Sequence, residues 1–542
     1  MEIAVSLMGG LGLFLYGMNL MGEALEKSAG SRLKKIIELL TSNIIMGVIV
    51  GALVTAVIQS SSATTVMVVG FVNAGIMTLP QAAGVIMGAN IGTTITAQLV
   101  SFDLNGLAPV ALGIGIVMYL FSSKQKVKHI AEILIGFGIL FTGMDFMKDA
   151  VKPLAEYKGF TDLLLTFGTY PLLGLLLGFG ITAIVQSSSA SMGMLVALAS
   201  QGLIPLSSAL PILYGQNIGT CVTSLISSIG ASKNAKRAAM IHLIFNILGT
   251  IVFLIFLNKP VVSMVTSADP GNVARQIANT HTLFNIISVL LLIPFNKFII
   301  KLAVTLVPDK SNEHENDESK VIKYIDERMI ETPSIALANT VKETLRMGEK
   351  AKESLNLAMS AILEDVTENI DACRKNEKQV NILQKTILDY LLKLSKAPLN
   401  EDSREVVDAL FNTVNDIERI GDHADNISEL AEAAKNCGAE FSKEGKDELN
   451  EMYNKVISAY TYALESMRTS DIDLACKVIK MEEQVDVMER SCRISHMRRL
   501  NESSCSIDSG VIYLDMIMNL ERVSDHAVNI AQQVISHQVT QN

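Results

Sequence analysis

Two polar runs in otherwise apolar sequence carry the chemistry of this chain. Gln59-Ser60-Ser61-Ser62-Ala63-Thr64-Thr65 and Gln186-Ser187-Ser188-Ser189-Ala190-Ser191-Met192 are each followed by an Asn-Ile-Gly-Thr tetrad, Asn90 to Thr93 and Asn217 to Thr220. Three hydroxyls ahead of a helix add side-chain donors to the unpaired N–H groups and positive dipole end of that helix, which suits an oxyanion such as phosphate or sulfate. The same hydroxyls and the amide carbonyls of Gln59, Gln186, Asn90 and Asn217 are hard oxygen ligands suited to Na⁺. No Lys, Arg, Asp or Glu lies within these motifs. A divalent anion there has no formal countercharge, and a bare charge in a low-dielectric medium is prohibitive. Co-bound cations supply that charge, so coupling to Na⁺ is the physical expectation, a linkage between two ligands.

The elements that must position these groups occur twice. Both motif pairs are offset by the same 127 residues, the mark of an internally duplicated domain. Apolar stretches long enough to cross or enter a bilayer lie at about 3–22, 44–72, 79–100, 106–122, 129–148, 171–199, 206–229, 238–257 and 279–300. Stretches 44–72 and 171–199 are interrupted by the Gln-Ser-Ser-Ser runs, as expected of re-entrant hairpins of two short helices whose broken backbone faces protein or water. Three ordinary spans separate the hairpins, so the second repeat is inverted and the polar runs face each other near mid-membrane. With a cytoplasmic C-terminal part, the loops place 12 Lys/Arg inside and five outside. Hairpins that crossed fully would return the same tally.

Gly84, Gly88 and Gly92, like Gly215 and Gly219, have the four-residue spacing of a helix-packing seam. His242, His281, Asn246 and Asn285 read as hydrogen-bonded packing residues rather than proton or ion ligands. Asp145 reads as an interfacial charge.

Composition divides the chain in two. At 542 residues and mean hydropathy +0.36 it is too apolar for an ordinary soluble protein, yet its C-terminal part is highly charged. Residues 1–308 carry 17 Lys/Arg and 11 Asp/Glu, and residues 309–542 carry 28 and 44. The start lacks a basic n-region, so the first apolar run reads as a retained membrane segment. The six cysteines form no CxxC pair and fit thiols in a reducing cytoplasm.

The paired motifs resemble the type II sodium-phosphate cotransporter family, including its bacterial members, over most of residues 1–300. The resemblance implies a Na⁺-coupled phosphate symporter of the plasma membrane (the inner membrane of a bacterial cell). Its substrate and sodium sites then fall at Gln59, Ser60, Ser61, Ser62, Thr64, Asn90 and Thr93, and at Gln186, Ser187, Ser188, Ser189, Ser191, Asn217 and Thr220. Thr64-Thr65 becomes Ser191-Met192 in the second repeat, so the two sodium roles differ.

The tail tells a separate story. After an acidic linker, charged helical stretches run at about 334–372, 376–396, 402–436, 443–468, 471–500 and 508–537, two sets of three. Glu418, Asp422 and Asn426 recur as Glu521, Asp525 and Asn529, at i, i+4 and i+8 on one helical face. Such oxygen-rich rows suit a hard or borderline metal ion. Glu377 with Asn381, and Glu482 with Asp486, precede the rows. This half resembles the PhoU family of phosphate-signalling proteins over about residues 333–540, with paired three-helix bundles and acidic motifs for divalent or iron-type ions. Asn381 in place of an acid weakens the first row.

The expected protein is all-α: a polytopic membrane domain at 1–308, with inverted repeats at about 40–150 and 168–300 that each hold a re-entrant hairpin, an acidic linker at 309–332, and a cytoplasmic PhoU-like domain of two three-helix bundles at 333–542. Expected partners are phosphate, sodium, the lipid bilayer, and a second copy or a phosphate-signalling protein at the cytoplasmic domain; nucleic acid is not expected. The alternatives are a membrane-anchored phosphate sensor and a sodium-coupled transporter of another oxyanion such as sulfate. No nucleophile–base–acid set or nucleotide-binding loop points to an enzyme.

Overall fold

The computed structural model describes residues 2–38, 43–102, 104, 106–308, 321–502 and 505–539, and every regular element among them is helical. The chain forms two compact units, Met1–Glu313 with Asp326–Ser334, and His314–Ile325 with Ile335–Asn542. The expected acidic linker at 309–332 lies outside the described residues up to 320, and a short 3₁₀ turn occupies Glu327–Glu331.

The first unit runs through α1 (Glu2–Glu38), α2 (Ile44–Ile58), α3 (Ser61–Asn73), α4 (Leu79–Gly92), α5 (Thr94–Val100), α6 (Ala108–Phe121), α7 (Gln125–Val151) and α8 (Lys158–Thr169). It continues with α9 (Pro171–Val185), α10 (Ser188–Ser200), α11 (Leu206–Ser227), α12 (Lys233–Val252), α13 (Asn258–Ala268), α14 (Val273–Leu292) and α15 (Asn296–Leu306). Five helical stretches among the described residues are long and apolar enough to cross a membrane: Glu2–Ala29, Leu79–Val100, Gln125–Leu154, Lys233–Ala268 and Val273–Leu306. A sixth, α8 with α9, is bent by 109°. The chain is a multi-pass membrane protein.

The duplication persists in backbone detail. Helices α9 and α10 begin and end 127 residues after α2 and α3. Helix α2 packs along α4, and α9 along α11, through glycines at the same offset. A Cβ on Gly88 would sit 2.0 Å from the Val48 carbonyl oxygen, and one on Gly215 would sit 2.0 Å from that of Leu175. Gly51 and Gly178 repeat the approach toward Val85 and Ile212, at 2.1 and 2.0 Å. The glycine seam is therefore packing, with backbones in contact where no side chain fits. An aromatic cluster of Tyr214, Phe253 and Phe284 fills the core beside α11, with Tyr214 and Phe284 centroids 5.1 Å apart.

The C-terminal end of α3 is held by two distant segments of this unit. Asn73 Oδ1 accepts from the Ser232 N–H at 2.8 Å, and Asn73 Nδ2 donates to Asp326 at 2.7 Å. The Met329 side chain lies over Gly70.

The second unit is built on α16 (Pro333–Leu363), α17 (Glu368–Leu394), α18 (Glu401–Cys437), α19 (Lys443–Thr469), α20 (Ile472–Asn501) and α21 (Ile507–Val539). Helix starts are capped by Asn400, Ser442 and Asp471, and α18 and α19 end on left-handed residues, Gly438 and Ser470. The first break lies at 364–367 rather than after 372, because Asp365 adopts φ 59° and ends α16 early. Arg499, 4 % exposed, is held by Glu448 at 2.8 Å, which also accepts from the Tyr513 hydroxyl at 2.5 Å.

Desolvation raises the Glu448 pKa, but hydrogen bonds from Arg499, Ser495 and Tyr513 outweigh it and hold the carboxyl below its ordinary value of 4.5. Its contribution is present above that value and is lost as pH falls through the depressed pKa. Glu448→Ala strands a buried guanidinium, partly relieved by Glu444 at 3.7 Å. The expected cost is about 2–3 kcal/mol, read as a fall in the thermal midpoint of the purified full-length protein.

Candidate functional site

Each Gln-Ser-Ser-Ser run is a chain break with its own local logic. Gln59 ends α2 at φ 59°, ψ 20°, and Gln186 ends α9 at φ 54°, ψ 23°. Such left-handed backbone in a residue with a Cβ costs about 1 kcal/mol or more and persists where surroundings over-determine it. The next serine turns extended and caps the following helix: Ser60 Oγ accepts from Ala63 N at 3.1 Å, and Ser187 Oγ from Ala190 N at 3.2 Å. Helices α3 and α10 thus begin on Ser61 and Ser188, so the second and third serines occupy the first turn, where N–H groups lack intrahelical partners. Thr64 and Ser191 bond back to Ser60 O and Ser187 O at 3.0 and 3.1 Å, and Thr55 donates to Thr64 at 3.0 Å, tying α2 to α3.

The two repeats meet at a small cavity. Thr93, Thr96 and Ala97 line it from the first repeat, Ser188, Ser189, Met192, Gln216 and Asn217 from the second, and His281 from α14. None of these is Lys, Arg, Asp or Glu. The free volume is ≈ 10 Å³, about one water. That volume is too small for a tetrahedral oxyanion as the site stands.

Of the sequence candidates, Thr93, Ser188, Ser189 and Asn217 line the cavity. Gln59 stands one bond behind it, accepting from Thr96 at 3.0 Å. Asn90 and Asn217 make the same anchoring bond, Nδ2 to the carbonyls of Ile86 and Leu213, at 2.9 and 3.0 Å. Thr220 bonds back to Gln216 O at 3.0 Å. Ser60, Ser61, Ser62, Thr64, Asn90, Gln186, Ser187, Ser191 and Thr220 do not line the cavity. The repeats share a backbone but contribute unequally to it.

Sequence reasoning missed Thr96, Gln216 and His281. Gln216 lies inside the repeated Gly-x-Asn-Ile-Gly-Thr motif, where Ala89 is its counterpart, and that asymmetry was its signal. Its Nε2 donates to Ser191 O at 3.0 Å while its Oε1 has no protein partner. His281 offered no signal beyond being a histidine in an apolar span; its Nε2 lies 3.2 Å from Asn217 Oδ1. His242, Asn246 and Asn285 are buried and do not line the cavity; they bond to Ser224, to Cys221 and His242 O, and to His281 O, while His242 Nε2, Asn246 Oδ1 and Asn285 Oδ1 have no protein partner. Asp145 pairs with Lys148 at 3.3 Å.

A second candidate lies in the charged unit. Carboxylate oxygens of Glu482, Asp486 and Asp525 lie within 4.8 Å of one another. Partial burial and the neighbouring charges of Asp486 and Asp525 raise the Glu482 pKa, and burial likewise raises those of Glu521 and Asp525. The first row does not close in this way among the described residues: Glu377 accepts a hydrogen bond from Asn381, and Glu418 and Asp422 flank Arg419. Asn426 and Asn529 turn to the other repeat of the unit, donating to Asn519 at 3.4 Å and Asp416 at 3.0 Å.

Comparison with known proteins matches both halves. The Na⁺/Pi-cotransporter family matches residues 13–149 and 146–267, and the PhoU domain matches 344–431 and 449–534. The chain is 25% identical over 532 residues to YjbB of Escherichia coli strain K12, whose name assigns it to inorganic phosphate export; 98% of this chain and 97% of that protein are covered. It is 30% identical over 190 residues to the phosphate-specific transport system accessory protein PhoU homolog 1 of Thermotoga maritima, covering 34% and 78%. A shorter match, 37% over 131 residues, links it to the sodium-dependent phosphate transport protein 2A of Rattus norvegicus, covering 22% and 20%.

Proposed function

The chain belongs to the Na⁺/Pi-cotransporter family through residues 13–267 and carries PhoU domains in residues 344–534, and on that premise we propose that it imports inorganic phosphate by sodium symport under control of a cytoplasmic PhoU region. One observation carries the reading. Polar residues of both repeats converge on a single cavity with no formal charge, so phosphate there depends on a co-bound cation. Hydroxyls, the Gln216 and Asn217 carbonyls and the α10 N-terminus supply ligands for both ions.

Inverted re-entrant hairpins belong to the same proposal. At 15 and 13 residues, α2 and α3 are about 22 and 20 Å long, short of the roughly 30 Å hydrocarbon core. If they crossed as a pair, Asn73 and loop 230–237 would lie on opposite membrane faces. The 2.8 Å bond between Asn73 and Ser232 supports their lying on one face. That face is the cytoplasmic one by the distribution of Lys and Arg.

The test is radiolabelled phosphate flux in proteoliposomes under an imposed Na⁺ gradient. Phosphate accumulating down the sodium gradient supports symport. Phosphate movement independent of sodium, and outward from the cytoplasmic face, would favour export, the reading that the name of the Escherichia coli relative favours. Absence of any flux in folded protein, with phosphate-dependent partner binding by the full chain, would leave a sensor.

The Glu482, Asp486 and Asp525 cluster fits a hard divalent cation. Because protons compete for carboxyls whose pKa is raised, cation binding weakens as pH falls through those raised values. Millimolar Mn²⁺ is expected to raise the thermal midpoint of the full-length protein at pH 7.5 and to raise it progressively less at lower pH, and Asp525→Asn to abolish the rise. An equal rise in that variant would remove the metal assignment.

A further inference from the structure

Resting on the transport reading above, we propose that His281 makes the site choose phosphate over sulfate: its bare Nδ1 accepts the P–O–H hydrogen of a protonated phosphate, a hydrogen that sulfate lacks.

The tautomer follows from Asn217. The Asn217 Nδ2 is committed to Leu213 O at 3.0 Å, which turns Oδ1 toward the imidazole, 3.2 Å from Nε2. An amide oxygen only accepts, so Nε2 carries the hydrogen, and in the neutral ring Nδ1 is a lone pair. That Nδ1 is buried and has no protein partner, and His281, 5 % exposed as a residue, lines the cavity.

The remaining lining explains why this one atom discriminates. The hydroxyls of Thr93, Ser188 and Ser189 rotate to donate or accept, so they serve phosphate and sulfate alike, and Thr96 regains that freedom only by giving up its bond to Gln59 Oε1. Gln216 Oε1 is also without a partner, but a carbonyl oxygen suits Na⁺, whereas imidazole nitrogen does not. While the ring is neutral, His281 Nδ1 is thus an acceptor that cannot become a donor without breaking its bond to Asn217. Set against phosphate it receives a hydrogen bond; set against sulfate it faces a second lone pair. A site built to bond a ligand O–H rejects the analogue that lacks it far more strongly than it rejects a change in size.

Arsenate shares the O–H of phosphate and provides the matched probe. Binding of radiolabelled phosphate to purified full-length protein in saturating Na⁺ is competed with arsenate or sulfate, for wild type, His281→Gln and Asn217→Leu. Wild type should be displaced by arsenate at near-equal concentration and by sulfate only at about 100-fold excess or more. In His281→Gln the amide can flip to present N–H, and in Asn217→Leu the ring is free to turn, so both should lose at least about tenfold of the discrimination against sulfate while arsenate competes as before. An unchanged sulfate-to-arsenate ratio in variants that still bind phosphate overturns the proposal. A variant that loses all binding is replaced by His281→Asn, scored on the same ratio. Failure of the transport reading shows separately, as wild-type protein that binds phosphate but moves none under a sodium gradient.

Discussion

Gly88→Ala and Gly215→Ala will each leave little folded, monodisperse protein after detergent extraction, while Gly113→Ala will be indistinguishable from wild type or slightly more stable. The new methyl at either seam position would stand 2.0 Å from a backbone carbonyl oxygen, of Val48 or Leu175, well inside any contact distance. Relief requires α2 to move off α4, or α9 off α11, because no side chain can rotate away. Overpacking of this kind costs about 3 kcal/mol or more, a large fraction of the 5–15 kcal/mol that typically holds a domain together. At Gly113 nothing lies within 4 Å of the added atom, and alanine is the better helix former by about 1 kcal/mol. Thermal midpoints by fluorescence-detected size exclusion separate the three. A seam variant that melts like wild type would mean the helices do not pack this closely. The paired design also asks whether the seams at a 127-residue offset are equivalent, since both approaches are 2.0 Å.

Ser188→Ala is expected to lower the initial rate of sodium-driven phosphate transport at least tenfold, and Ser61→Ala less than about threefold. The two serines are counterparts in the duplication and each opens its helix after a serine N-cap. Ser188 lines the cavity, whereas Ser61 is buried without reaching it. A hydrogen bond to a charged ligand is worth about 1.5–3 kcal/mol, or tenfold to more than a hundredfold in rate when lost from the bound anion. A hydroxyl that only packs is worth far less. Equal loss in both variants would place the anion symmetrically between the runs and reject this cavity as its site.

Much of the architecture was legible because it is written in local patterns. The helix breaks and the starts of α3 and α10 follow from a Gln-Ser-Ser-Ser run that interrupts an apolar helix, and a run repeated at one offset repeats its backbone, although the left-handed conformation of Gln59 and Gln186 was not announced by it. The six charged helices were legible from their caps and breakers, apart from the end of α16 and the start of α17, which lie on either side of Asp365, a residue in a left-handed conformation that composition does not announce. The glycine spacing left packing and ligand roles open, and backbones so close that no Cβ fits between them resolve it toward packing.

The site was legible only as a neighbourhood. Residue types alone specified a charge-free, hydroxyl- and amide-rich region able to hold an oxyanion with sodium, and an acidic row able to hold a metal, because chemistry resides in side-chain identity. Which members of each duplicated pair face one cavity depended on contacts between residues far apart in the chain: Thr96 with Gln59, Gln216 with Ser191, and His281 with Asn217. Likewise Glu482, Asp486 and Asp525 converge while the first row, with Asn381 in place of an acid, does not. Two copies of one motif have the same local preferences but different neighbours, and it is the packing of those neighbours that sets a side chain on a cavity wall or behind it.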